Sequence, residues 1–223
     1  MGDIFKGLGN IYDEVDVTAV GSKPKEPTPG AYVLKILGAK IERFSGGKLA
    51  FKLKIDIAEG EFADYYKQLY EYNKSGKFGD DAKWKGTFSI FIPDGSEGDP
   101  DYKKQVASFK RSITAINDSN KGKPLDGNKG FNTDDFKGKK VGGAFGLVDW
   151  EYNGKEGTRC ECRWFVEVDR VKAGEVETPA HKGLKGAEPK RTVLNDGGNA
   201  TKPVDIGDLG DFGEILSDED SPF

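Results

Sequence analysis

The chain has 223 residues, 35% of them apolar and 32% charged, which suits one domain of ordinary size with solvated flanks. Its longest apolar runs, AYVLKIL and FSIFI, fall well short of the roughly 18 residues of a membrane span, and the start MGDIFKGLGN has no basic and apolar signal regions and carries Lys6 where a myristoylation signal wants Ser or Thr. The expectation is therefore a soluble cytoplasmic protein without a membrane partner, and the net charge of -4 hides an asymmetry: residues 205–223 hold seven acids and no base, leaving 34 basic against 31 acidic residues elsewhere, a body of +3.

Residues 1–29 combine a small apolar cluster (Ile4, Phe5, Leu8, Ile11, Tyr12) with the Pro- and Gly-rich stretch GSKPKEPTPG, and read as an N-terminal arm that either frays or packs on a neighbouring subunit of a homo-oligomer. A globular domain is expected over residues 30–172. AYVLKILGAKIERF and KLAFKLKIDIA read as two strands around Ser45-Gly46-Gly47, a hairpin-type turn. In the second strand Leu49, Phe51, Leu53, Ile55 and Ile57 alternate with Lys48, Lys52 and Lys54, which gives one core face and one basic face. Phe62, Tyr65, Tyr66, Leu69 and Tyr70 recur at helical spacing and predict a short helix. KWKGTFSIFIPDG predicts a third strand ended by Pro93.

After Asp99-Pro100, a capping start, Tyr102, Val106, Phe109, Ile113 and Ile116 predict a helix up to Asn117. A polar, glycine-rich stretch from Ser119 to Gly138 leads to KKVGGAFGLVDWEY and TRCECRWFVEVDRV, two strand runs on either side of Asn153-Gly154, the hairpin signal. Residues 173–204 lack periodicity and read as a flexible linker, and 205–223 as an acidic tail. Five main strands with one helix between the third and fourth is the element order of an OB-fold, a five-stranded Greek-key barrel that commonly binds oligonucleotides.

Sequence-independent binding of single strands requires a basic groove for phosphates and flat side chains on which bases stack. Lys35, Lys40, Arg43, Lys48, Lys52, Lys54, Lys83, Lys85, Arg159 and Arg163 interleave with Phe44, Trp84, Phe91, Trp150, Tyr152 and Phe165. The stacking candidates are aromatics out of phase with the apolar face. In TFSIFIP the set Phe88, Ile90, Ile92 leaves Phe91 on the other side. In RCECRWFVEV, Cys160, Cys162, Trp164, Val166 and Val168 are expected inward, with Arg159, Arg163 and Phe165 outward. Trp150 and Tyr152 flank the last hairpin loop, a usual binding position in OB-folds.

Metal and catalytic chemistry lack ligands. Cys160 and Cys162 are the only cysteines and His181 the only histidine, so the thiols are expected reduced, with no metal and no cofactor. Without a phosphate loop or a usable Ser-His or Cys-His pair the chain is expected not to be an enzyme; the one catalytic alternative is a magnesium-dependent nuclease using Asp80-Asp81 and Asp134-Asp135.

The ending DEDSPF, Asp218 to Phe223, resembles the acidic tail of bacterial and phage single-stranded DNA-binding proteins, and AYVLKILGAKIERFSGGKLAFKLKIDIAEGEF is similar to phage-encoded proteins of that type. The resemblance implies that Phe223 enters an apolar pocket on replication or recombination proteins, with Pro222 beside it and Asp218, Glu219 and Asp220 as a charged approach. Ser221 departs from the family, which usually has an apolar residue there, and this bears on affinity. The function so implied is coating single-stranded DNA in phage replication or recombination while recruiting partner enzymes. A rival reading is an acidic DNA mimic that inhibits a host replication protein.

Overall fold

The computed structural model describes residues 22–44, 46–76 and 78–184. The arm before residue 22, the rest of the linker and the acidic tail lie outside the described residues.

Strand β1 (Gly30–Arg43) and strand β2 (Leu49–Ile57) pair antiparallel. The turn between them is closed by the Phe44 amide donating to the Lys48 carbonyl at 2.9 Å, with Gly47 at φ 81, a conformation glycine adopts without strain. The period-two pattern of β2 is realised: Phe51, Leu53, Ile55 and Ile57 are buried in the main core while Lys52 and Lys54 take the opposite face.

Helix α1 (Tyr65–Ser75) follows. Its N-cap, Asp64, is left-handed and makes no side-chain cap. That role passes to Asp56 on β2, which is fully buried and accepts from the amides of Ile57 (2.9 Å), Tyr66 (2.9 Å) and Lys67 (3.2 Å). A carboxylate thus satisfies amides of the first helical turn from a neighbouring strand. Burial raises its pKa above the ordinary aspartate value, opposed by those three amides.

Strand β3 (Thr87–Phe91) pairs with β2, and helix α2 (Pro100–Asp118) comes next. Asp99 caps α2 by accepting from the Asp101 amide at 2.8 Å, and Ile113, Ala115 and Ile116 are buried. The polar stretch after α2 is anchored by amide side chains rather than by apolar ones. Asn117 clasps both backbone groups of Leu125, and Asn120 clasps both of Lys140 at the start of strand β4 (Lys140–Tyr152). A four-residue turn at Thr133–Phe136, with a reciprocal capping box between Asn132 and Asp135, delivers Phe136 into the core against Phe51.

Strand β5 (Lys155–Val166) pairs antiparallel with β4, and helix α3 (Val168–Ala173) ends the regular elements. The order across the sheet is β3-β2-β1-β4-β5, all antiparallel. Strand β4 returns through α2 to lie beside β1, the Greek-key arrangement.

The expected barrel is corrected in one respect: among the described residues β3 and β5 form no hydrogen-bonded ladder, so the sheet is open. It is strongly curled nonetheless. Phe88 of β3 and Phe165 of β5 stack with centroids 4.0 Å apart across the core.

That stack overturns the outward placement of Phe165, which is 2% exposed, and the inward placement of Trp164, which is 40% exposed. The cause is a bulge. Ala144 faces Trp164 and Phe145 faces Cys162, so Arg163 is an extra residue, which turns Trp164 outward and Phe165 inward, while Val166 and Val168 remain buried.

The linker boundary also moves. Pro179 is buried, and Lys182 forms a parallel bridge with Val148, so residues 179–182 belong to the folded domain.

Candidate nucleic-acid interface

The face of the sheet turned away from the main core gathers several expected residues and separates others. On β1 and β2, Lys40 stands opposite Lys52, a like-charge pair that is unfavourable by itself. Glu42 lies between them, 2.9 Å from Lys40 and 3.1 Å from Lys52. The Lys40 hydrogen bond, followed in effect by Lys52, holds the Glu42 carboxyl below its usual value against the opposing pull of burial. The trio keeps one net positive charge.

One pair further along, Lys54 places its ammonium 4.0 Å from the ring centroid of Trp84. Trp84 is itself fixed by its indole N–H, which donates to the Gly86 carbonyl at 2.9 Å. Phe91 of β3, on the same face as Lys52 and Lys54, is half-buried against Phe44 with centroids 5.3 Å apart.

The β1–β2 turn adds Arg43, whose guanidinium donates to the Gly47 carbonyl at 3.0 Å, and the half-buried Lys48. Lys35 is drawn away: its ammonium is 2.6 Å from the Asp64 carboxylate at the start of α1.

The β4–β5 hairpin forms a second group. Its tip, Asn153 and Gly154 at φ 49 and 72, is the two-residue turn that needs positive φ at both positions, which explains the Asn-Gly pair. Trp150 stands opposite Gly157 and lies over its bare backbone: a Cβ on Gly157 would come within 2.7 Å of the indole Cζ2. Tyr152 is 38% exposed at the tip. Arg159, on the Trp150 side of β5, reaches Glu161 at 2.8 Å, and Arg163 occupies the bulge.

The curl brings the two groups towards each other at one corner. Lys85 has its pKa lowered by burial first, then by repulsion from Arg159 and Lys83, so these three cations from β5 and the approach to β3 share a field. Lys54 lies over Trp84, the residue between Lys83 and Lys85, so it borders this corner, where Arg159 is also paired with Glu161.

Other groups do different work. Phe165 is a core residue. Cys160 and Cys162 are free thiols with pKa values pushed upward by burial, that of Cys160 to about 11, which leaves them protonated and poorly nucleophilic. Asp135 accepts from the Asn132 amide at 3.0 Å and has Lys123 at 3.4 Å, and among the described residues no group of three or more His, Cys, Asp or Glu is placed to hold a metal ion. No described helix is long and apolar enough to cross a membrane.

Sequence reasoning missed the Glu42 bridge, the pairing of Phe44 with Phe91, and the exposure of Trp164. The first two depend on cross-strand register, which has no local signal. Comparison with known proteins gives no matching family model and no matching curated sequence.

Proposed function

We propose that the protein binds single-stranded DNA without sequence preference, coating it during phage replication or recombination, and that its acidic tail recruits partner enzymes. The observation that carries this reading is the convergence of Lys52, Lys54, Phe91 and Phe44 on the outer face of β2 and β3 and the adjoining β1–β2 turn, with Trp150 and Tyr152 on the β4–β5 hairpin. An OB-fold is a partly open Greek-key barrel that binds oligonucleotides on its second and third strands and on the loops joining strands 1 to 2 and 4 to 5. The observed strand order and the Phe88–Phe165 approach of the edge strands support that assignment.

The chemistry matches the ligand. Aromatic rings accept any base on their faces, and lysines at strand spacing track phosphates without reading sequence. Binding is the whole activity, and no bond is made or broken. The tail, with Pro222-Phe223 behind Asp218, Glu219 and Asp220, supplies attachment to replication or recombination proteins by its resemblance to the bacterial family.

Anisotropy of labelled oligo-dT, titrated with the full chain beside a duplex of equal length, tests the reading. Preferential binding of the single strand is expected. Absence of oligo-dT binding together with capture of a host replication protein transfers support to the acidic-mimic reading.

A further inference from the structure

We infer that residues 175–184 form a strap that holds the β4–β5 arm in its binding posture, with Pro179 and His181 as positioning residues for Trp150. The link to DNA rests on the proposed function; the mechanical link does not.

The need for a strap follows from the register. Strand β1 begins at Gly30, opposite Phe145, so β4 loses its β1 neighbour beyond that point. Among the described residues β5 is the one strand laddered with β4 from Leu147 to Tyr152, and a two-stranded ribbon is marginally stable in water. The strap takes up the vacated edge. The Lys182 amide donates to the Leu147 carbonyl at 2.9 Å, and the Asp149 amide donates to the Lys182 carbonyl at 2.9 Å.

Two side-chain contacts fix its position. Pro179 is buried over Gly146, where a Cβ would sit 2.7 Å from the proline Cβ; glycine there makes the notch that the ring fills. Proline also lacks an amide donor, so its burial leaves no orphaned N–H. His181 Nε2 lies 2.8 Å from Asp149 Oδ1, and the same oxygen accepts from the Thr158 hydroxyl at 2.6 Å. One carboxylate therefore ties the strap to both strands of the arm.

Trp150 follows Asp149 directly, so the backbone held by the strap is the backbone that aims the ring. Holding a binding loop in its bound posture lowers the ordering cost of association. Weakening the strap should therefore loosen the arm and speed release of the ligand.

The test is amide hydrogen exchange on the full chain, with oligo-dT dissociation measured in parallel, for wild type, Pro179→Ser with His181→Ala, and His181→Gln. In the double variant, exchange at Asp149 and along the arm should rise by roughly fivefold or more, the factor expected for losing one hydrogen bond's net contribution, with exchange in β1 and β2 unchanged. Oligo-dT should dissociate faster by a similar factor. His181→Gln, which keeps a donor towards Asp149, should stay near wild type in both.

Unchanged exchange in the arm of the double variant overturns the strap. Faster exchange with unaltered dissociation overturns the positioning role and leaves a structural one. If wild type does not bind oligo-dT, the DNA reading fails, while the exchange data still decide whether the strap orders the arm.

Discussion

Replacing Phe165 by Ala separates the role given it by alternation from the role given it by the bulge. The ring is 2% exposed and stacks on Phe88 at 4.0 Å, joining the two edge strands of the sheet across the core. Truncating a buried Phe to Ala costs about 3–5 kcal/mol, because burial is lost and a cavity remains. In a protein of this size each kcal/mol lowers Tm by about 2–4 °C, so a fall on the order of 10 °C is expected. Urea unfolding followed by fluorescence, with Trp164→Ala as control, reads the effect. The control removes an exposed ring and should change stability by less than about 0.5 kcal/mol. If Phe165→Ala leaves stability intact and selectively weakens oligo-dT binding, the ring is a stacking platform and the account of the bulge is wrong.

Asp56→Ala should destabilise by about 1–2 kcal/mol in thermal melts, since it strips the cap from α1. Because the folded carboxyl has a raised pKa, the folded state holds that proton more tightly than the unfolded chain. Its contribution is complete below the ordinary aspartate range and is lost as pH rises through the raised value, so melts of wild type relative to Asp56→Asn should show a wild-type advantage shrinking with rising pH. Lys85, its pKa lowered mainly by burial, should lose its proton at a lower pH than an ordinary lysine; Lys85→Gln should weaken oligo-dT binding at neutral pH and flatten the alkaline fall in affinity. Deleting Asp205 to Phe223 should tighten oligo-dT binding, most at low salt, as seven competing acids are removed, while removing Phe223 alone should leave DNA affinity near normal and abolish partner capture from a lysate.

Much of the fold was legible because period and punctuation are local. The alternation in β2, the Asp99-Pro100 start of α2 and the Asn-Gly turn of the last hairpin each state their element within a few residues. Alternation failed at Trp164 and Phe165 because one inserted residue, Arg163, shifts the phase there, and the bulge shows only in the pairing of β5 with β4. Residues 179–182 read as linker because their ordering comes from two backbone hydrogen bonds to Leu147 and Asp149 and a notch at Gly146, all distant in sequence, with almost no apolar periodicity of their own.

The site was legible in kind more than in arrangement. Lys52, Lys54 and Phe91 follow from strand phase, whereas the diversion of Lys35 to Asp64 and the sharing of Glu42 between Lys40 and Lys52 come from neighbours that no local pattern names. Open closure of the sheet has a related cause: side-chain stacking between Phe88 and Phe165 brings the edges together without requiring their backbones to pair.

The most direct measurement of the central claim is the salt dependence of oligo-dT affinity for wild type and for Lys52→Ala with Lys54→Ala. A protein that threads single-stranded DNA over this face should show log affinity falling linearly with log salt, at a slope of about -0.7 for each phosphate neutralised. Removing two phosphate-facing lysines should reduce that slope by about 1.4, with the melting temperature little changed, since both side chains lie off the main core. A salt-independent affinity, or a double variant with the wild-type slope, would contradict the assignment of this face to single-stranded DNA.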